Sequence, residues 1–236
     1  MDGLNGQVAL VTGAGSGIGK AIVLDLAAQG ARVYLAGRTA SKLEATARAM
    51  PPGAARVLPM DLASDASIDA LIARVTDLDI LVLAGGEYTK GPVATAPVEA
   101  LDALYRANLR GNYRLIQALL PKLQRRPGQI VFINSSTGLS ARPDVAMFSA
   151  MNHALKALAD ALRAEINPSG VRVLTVHPGR TATPRLEALY ASSGETYKPE
   201  LLLQPEDVAL VVRNALTMPK TAEITDISLR PLKKSY

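Results

Sequence analysis

"TGAGSGIG", residues 12–19, decides the fold, and it does so through what stands on either side of it. Residues 7–12, "QVALVT", are a run of strand length rich in β-branched side chains, and residues 17–30, "GIGKAIVLDLAAQG", have helical spacing and close on a glycine. A lone glycine-rich string carries little information. Between a strand and a helix it predicts a turn whose backbone approaches a pyrophosphate, held by the free N–H groups and positive dipole end of the helix. Gly13, Gly15, Ser16, Gly17, Ile18 and Gly19 are the candidate phosphate-binding residues.

Outward from this turn the same alternation continues. Strands are expected at 32–37, 56–62, 79–86, 128–134, 171–179 and 223–229, and helices at 41–50, 67–75, 97–120, 145–166 and 204–216. Strands apolar on both faces that alternate with helices belong to an α/β fold: a Rossmann-like, doubly wound parallel sheet with helices on both sides. Residues 180–203 are the least regular stretch and are expected to form a mobile segment on the substrate side. No linker or repeat interrupts the pattern, so residues 1–236 read as one domain.

Composition narrows the function classes. Hydrophobic residues make up 48% of the chain and charged ones 20%, which suits a soluble protein with a large core. No apolar run of about 18 residues predicts a membrane span, and the start "MDGLNGQ" lacks the basic-then-apolar pattern of a secretory signal. The absence of cysteine rules out thiolate chemistry and disulfides and fits a cytoplasmic protein. The net charge of +5 comes from scattered arginines and the tail "RPLKKSY", without the basic blocks and interleaved aromatics of a nucleic-acid surface. Two histidines and no cysteine form no metal-ligand cluster.

The second strand ends Ala36-Gly37-Arg38, where a dinucleotide site selective for NAD(H) would carry a carboxylate for the ribose 2′-hydroxyl. No acid is there to repel a 2′-phosphate and a guanidinium is there to pair with one, so NADP(H) is favoured over NAD(H). Asp61, at the end of the third strand, is a candidate partner for the adenine; the alternative is that it caps the following helix.

With these residues in place, the chain resembles the short-chain dehydrogenase/reductase family along essentially its whole length. The family's Thr-Gly-x-x-x-Gly-x-Gly is matched by Thr12 to Gly19, its helix-four asparagine by Asn108 in "YRANLRG", and its strand-five serine by Ser135 in "VFINSSTG". Its Pro-Gly motif appears in "HPGRTATP". The resemblance implies that Pro178, Gly179, Thr181 and Thr183 border the nicotinamide end, with Leu62, Ala84 and Gly85 along the cofactor.

Two parts of the family pattern are altered. Its catalytic tyrosine stands 13 residues after the serine and its lysine four further on; here those counts arrive at Phe148 and Asn152. "LAGG" (83–86) stands where the family usually has Asn-Asn-Ala-Gly. Phenylalanine has no proton to give an alkoxide, and asparagine can bond a ribose hydroxyl but carries no charge to lower a phenol's pKa. A positioned acid contributes about 10²–10⁴ in rate, so ordinary carbonyl reduction is expected to be weak.

Several residues are candidate substitutes. A register slipped by one residue places Ser136, Ser149 and His153 at the family spacing, although the downstream "HALKALADALRAEIN" favours the first register. Lys156 lies one turn beyond Asn152, and helix side chains lean toward the N-terminus. Tyr88, just after the fourth strand with Glu87 beside it, is the preferred replacement proton donor, while His177 reads as structural. Three functions follow. One is an oxidoreductase on a small carbonyl or alcohol substrate using Asn108, Ser135 and Tyr88. Another is a non-redox isomerase, cyclase or lyase on the same scaffold. The third is a non-catalytic subunit paired with an active homologue. The family resemblance implies a homodimer or homotetramer through the helices at 97–120 and 145–166.

Overall fold

The computed structural model describes residues 3–233. Seven strands form one sheet: β1 (Val8–Thr12), β2 (Arg32–Gly37), β3 (Ala55–Pro59), β4 (Ile80–Leu83), β5 (Gln129–Ile133), β6 (Arg172–Pro178) and β7 (Asp226–Leu229). They lie in the order β3-β2-β1-β4-β5-β6-β7, and every neighbouring pair is parallel. The chain leaves β1 in one direction toward β2 and returns on the other side to β4. The crevice outside the carboxyl ends of β1 and β4 is therefore the topological switch point where ligands bind in such sheets.

Period two sorts each strand between two cores. Val8 and Leu10 of β1 pack into one apolar cluster, while Ala9 and Val11 pack into the other. The first cluster is closed by α3 (Asp65–Ile72), α5 (Gly111–Arg125) and α6 (Ala146–Ile166), through side chains such as Ile68, Leu119 and Leu162. The second is closed by α1 (Gly17–Ala28) and α8 (Pro205–Leu216), through Ile22, Leu26, Val208 and Val212, with Leu43 of α2 (Ala40–Arg48). The sheet is thus covered on both faces, as the apolar runs require. The edge strands depart from that rule: β3 and β7 carry exposed positions because each has a neighbour on one side only.

Three segments correct the sequence-based boundaries. The helix expected over 97–120 is α4 (Val98–Leu104), then a wider π-helical turn at Tyr105–Arg110, then α5 running on to Arg125. At that junction a Cβ on Gly111 would strike the Leu62 carbonyl oxygen, so the helix passes closer to the loop after β3 than any other residue allows. The strand expected at 79–86 ends at Leu83, and residues 84–91 instead run as irregular backbone along the crevice. The stretch expected to be irregular, 180–203, contains α7 (Pro184–Ser193) and is tied back by paired backbone between Thr181 and Leu203.

Among the described residues no helix is long and apolar enough to cross a membrane, and no group of three or more His, Cys, Asp or Glu could hold a metal ion. The end of the basic tail, residues 234–236, lies outside the described residues, as do residues 1–2.

Candidate functional site

The turn after β1 is held in shape before any ligand arrives. Thr12 is fully buried, and its Oγ1 accepts from the N–H groups of Ala84 (3.0 Å) and Gly85 (2.8 Å), which fixes the end of β1 against the chain leaving β4. Gly13 has φ 70°, and a Cβ there would lie 2.8 Å from the Ala84 carbonyl oxygen, so only glycine fits. At Gly19 an added Cβ would lie 2.7 Å from the Gly13 carbonyl carbon, which brings α1 hard against the turn.

Ser16 occupies the N-cap position of α1 in extended conformation, but its side chain does not cap the helix, and the first turn carries no acid. The N-terminal N–H groups are left to an anion, with the helix dipole behind them. These features fit the pyrophosphate of a dinucleotide.

The switch-point crevice opens into a cavity of about 650 Å³, within the usual range for small-ligand sites. The candidates of the first register line it: the six loop residues Gly13 and Gly15 to Gly19, then Arg38, Asp61, Leu62, Ala84, Gly85, Tyr88, Asn108, Ser135, Phe148, Asn152, Pro178, Gly179, Thr181 and Thr183. Ser149, His153, Lys156 and His177 do not line it.

That partition separates the two possible registers of α6. Phe148 and Asn152 face the cavity. Ser149 is buried with no partner for its hydroxyl, and His153 reaches only the Ser149 carbonyl one turn back. Lys156, considered as a replacement cation, is instead bonded to Asp160 at 2.6 Å, one turn farther from the cavity. His177, read as structural from the sequence, has two partners. Its Nδ1 lies 3.3 Å from the Ser135 carbonyl oxygen, and its Nε2 lies 3.2 Å from Asp226, tying β6 to β7 beneath the serine.

A chain of polar contacts runs through the middle of the site. The Asn152 amide nitrogen donates to the Phe148 carbonyl (2.8 Å) and to Thr137 Oγ1 (3.4 Å), and Thr137 Oγ1 in turn donates to Ser135 Oγ (3.0 Å). Ser135 Oγ also accepts from the Thr137 N–H at 3.2 Å. With both contacts accepted, the Ser135 hydroxyl proton is the part left to donate, and Ser135 lines the cavity. Thr137 was not foreseen from the sequence, because nothing in "NSSTG" distinguishes the serine that faces the ligand from the residue that orients it.

Asn108, which lines the cavity, is tied to the loop after β4. Its Oδ1 accepts from the Glu87 N–H (2.6 Å) and its Nδ2 donates to the Glu87 carbonyl (2.9 Å). This clamps the backbone just before Tyr88, so Asn108 positions the loop.

Tyr88 then lies edge-on against Phe148, with ring centroids 4.9 Å apart at 64°. Burial pushes the Tyr88 phenol above its ordinary pKa, while the charges of Arg142 and Arg180 pull it back only in part. The loop is secured at its other end by the Gly91 N–H, which donates to the Asp144 carbonyl at 2.7 Å.

At the adenosine end, Arg38 forms an ion pair with Glu87 across the crevice. Both partners are substantially exposed, so the pair stabilises little and is readily exchanged for another anion. Asp61 Oδ1 accepts from the Ala63 N–H at 2.9 Å, while Ser64 caps α3, so Asp61 is not the helix cap.

Arg185, on the first turn of α7, was missed from the sequence. Its Nη2 donates to the Gly86 carbonyl at 2.5 Å, closing α7 over the crevice. Crowding by protein atoms lowers its pKa, Glu87 raises it and Arg38 lowers it again, although the residue as a whole keeps solvent contact. An arginine so placed remains a cation.

The geometry agrees with known proteins. The family model described as short chain dehydrogenase matches residues 7–193. An uncharacterized oxidoreductase of Staphylococcus aureus strain USA300 is 33% identical over 234 residues, covering 97% of this chain and 99% of its own. Among solved structures, the closed form of a serine dehydrogenase complexed with NADP+ superposes with a TM-score of 0.90 at 26% identity, covering 98% of this chain and 97% of its own. A 3-ketoacyl-(acyl-carrier-protein) reductase from Brucella melitensis complexed with NADH superposes with a TM-score of 0.83, also at 26% identity, over 96% of this chain and 98% of its own. With the parallel seven-stranded sheet and the uncapped helix behind a glycine turn, these likenesses place the chain in the short-chain dehydrogenase/reductase family.

Proposed function

We propose that the chain is an NADP(H)-dependent oxidoreductase acting on a carbonyl or alcohol substrate, with the phenol of Tyr88 supplying the proton that the family's tyrosine would give. The observation that carries this reading is the edge contact between Tyr88 and Phe148, which sets a phenol against the ring standing at the family's tyrosine position. Bound in the crevice, the nicotinamide would supply or accept a hydride. Gly13 to Gly19 and the N-terminus of α1 would hold the pyrophosphate, and Arg38 the 2′-phosphate. Ser135 would donate to the substrate oxygen, with Thr137 orienting it. Without a lysine at position 152 the charge that tunes the family's donor is missing from that position, so turnover is expected to be slow.

Cofactor choice is tested by fluorescence titration of nucleotide-free protein with NADPH and, side by side, NADH. NADPH should bind more tightly. Arg38→Ala should weaken NADPH about 10–100-fold, as losing hydrogen bonds to a charged group does, and leave NADH nearly unchanged. Glu87→Gln should tighten NADPH a few-fold, because it removes the anion that competes for Arg38. Equal loss of both nucleotides with Arg38→Ala would end the preference for NADP(H).

The donor is tested by Tyr88→Phe, expected to lower kcat for carbonyl reduction about 10²–10⁴-fold with little change in NADPH affinity. The sign of the pH dependence follows from the raised pKa: the phenol keeps its proton up to and beyond about pH 10, so reduction should be flat from neutral to alkaline pH and fail only above that. A titration of kcat near neutrality, or an active Tyr88→Phe variant, would contradict the assignment.

A further inference from the structure

Beyond the reacting carbonyl, the cavity has an electrostatic character that narrows its substrate. We infer that the substrate half of the crevice binds an organic anion, a carboxylate attached to a partly apolar carbonyl compound, with Arg142 and Arg180 as the groups that recognise the charge. This deepens the oxidoreductase reading and rests on it for the identity of the reacting group.

The two arginines reach the cavity from separate elements. Arg142 belongs to the loop between β5 and α6, and Arg180 directly follows Pro178-Gly179 at the end of β6. Both line the cavity that also holds Ser135 and Tyr88, and both act on Tyr88 through their charge. Among the described residues no carboxylate lies within ion-pair distance of Arg142. Arg180 donates to the Tyr190 hydroxyl at 3.2 Å, and Tyr190 stacks edge-on with Tyr197 at 5.6 Å, so this guanidinium is braced by α7 and the segment after it.

The surrounding charges leave an excess of cations. Among the described residues that line the cavity six are Lys or Arg and four are Asp or Glu, and one of those four, Glu87, is engaged by Arg38. A guanidinium presents a planar fork that matches a carboxylate with two parallel bonds. Phe148, Leu186 and Leu189 line the same cavity with apolar side chains, which suits a body of a few carbons joining the anion to the carbonyl. The anionic group itself takes no part in bond making; it fixes the carbonyl under Ser135 and Tyr88.

The test compares 2-oxo-4-phenylbutanoate with its ethyl ester, one carbon skeleton with and without the negative charge. Calorimetric titration of the purified, NADP+-saturated protein should show the acid binding at least tenfold more tightly than the ester, by an amount that shrinks as salt rises. Arg142→Ala should abolish that preference, and Arg142→Lys should keep part of it. Circular dichroism and NADPH titration serve as controls that the variants are folded with a working nucleotide site.

Equal or tighter binding of the ester, an unchanged preference in Arg142→Ala, or no binding of the acid at millimolar concentration would each overturn the inference. Because the readout is binding, it separates from the reductase reading. Acid-selective binding without NADPH oxidation would retain the anion site and remove the reductase, whereas NADPH oxidation with the ester alone would do the reverse.

Discussion

Combining Phe148→Tyr with Asn152→Lys is expected to raise NADPH-dependent carbonyl reduction by about 10²–10³-fold, the lower part of the range a positioned acid supplies. The ring at position 148 already lines the cavity, so the first change adds one hydroxyl to a placed ring. Alone it should give only a small gain, since the lysine that brings the family's phenol down from about 10 would still be missing at position 152.

The second change is costlier. Asn152 is 6% exposed, with its amide bonded to Thr137 and the Phe148 carbonyl. A lysine there buries an ammonium whose natural partner, a ribose hydroxyl, arrives only with the nucleotide. Asn152→Lys alone should therefore lower the melting temperature of the nucleotide-free protein, and NADPH should restore it by a larger margin than in the parent. Because the two groups act as a unit, the rate gain of the pair should exceed the product of the single gains. The measurement is NADPH oxidation over a panel of ketones and aldehydes. A double variant that binds NADPH and gains nothing would mean that the substrate does not sit over residue 148 at all.

This expectation depends on how much of the site can be read from residue order. The glycine turn was legible because strand, turn and helix follow one another within about 20 residues, and period two against period 3.6 distinguishes them. Phe148 and Asn152 were legible by counting from Ser135, because a helix repeats regularly once its register is fixed. The contacts between distant segments were not legible. That Asn108 grips Glu87 from 21 residues away, or that Thr137 passes a hydrogen bond from Asn152 to Ser135, depends on side-chain directions that no periodicity encodes.

The helix α7 is an intermediate case. Thr183 as N-cap, Pro184 at its first position and Gly194 with φ 70° at its end are ordinary start and stop signals. They do not stand out in the sequence because the helix has no buried residue, hence no apolar stripe to mark its period. It is also the element that carries Arg185 to Gly86 and Tyr190 to Arg180. The part of the chain least committed to the core thus holds much of what closes the cavity.

The residues at the opposite extreme, committed on every side, are those of the turn, and Gly19→Ala is expected to be among the most damaging single methyls in the molecule. The new carbon would fall inside van der Waals contact with the Gly13 carbonyl, 2.7 Å from its carbon and 3.2 Å from the Thr12 carbonyl oxygen, all of it backbone that cannot rotate away. Relief requires α1 to move off the end of β1, which opens the contact through which Ile22 and Leu26 seal one core. Overpacking of this kind costs about 1–3 kcal/mol and sometimes more. For a chain of this length that corresponds to a fall in melting temperature of roughly 2–12 °C.

The functional loss should be larger than the loss of stability. The N-terminal N–H groups of α1 would no longer sit where a pyrophosphate meets them, and each hydrogen bond to a charged group contributes about 1.5–3 kcal/mol, so NADPH affinity should fall by 10²-fold or more. Gly37→Ala is the control: its Cβ would make only ordinary contacts, with Leu43 Cδ2 at 3.4 Å and the Ala14 nitrogen at 4.0 Å, and the melting temperature should be unchanged. If Gly19→Ala bound NADPH as the parent does, the pyrophosphate could not lie against the start of α1, and the placement of the cofactor along Arg38 and Ser135 would have to be abandoned with it.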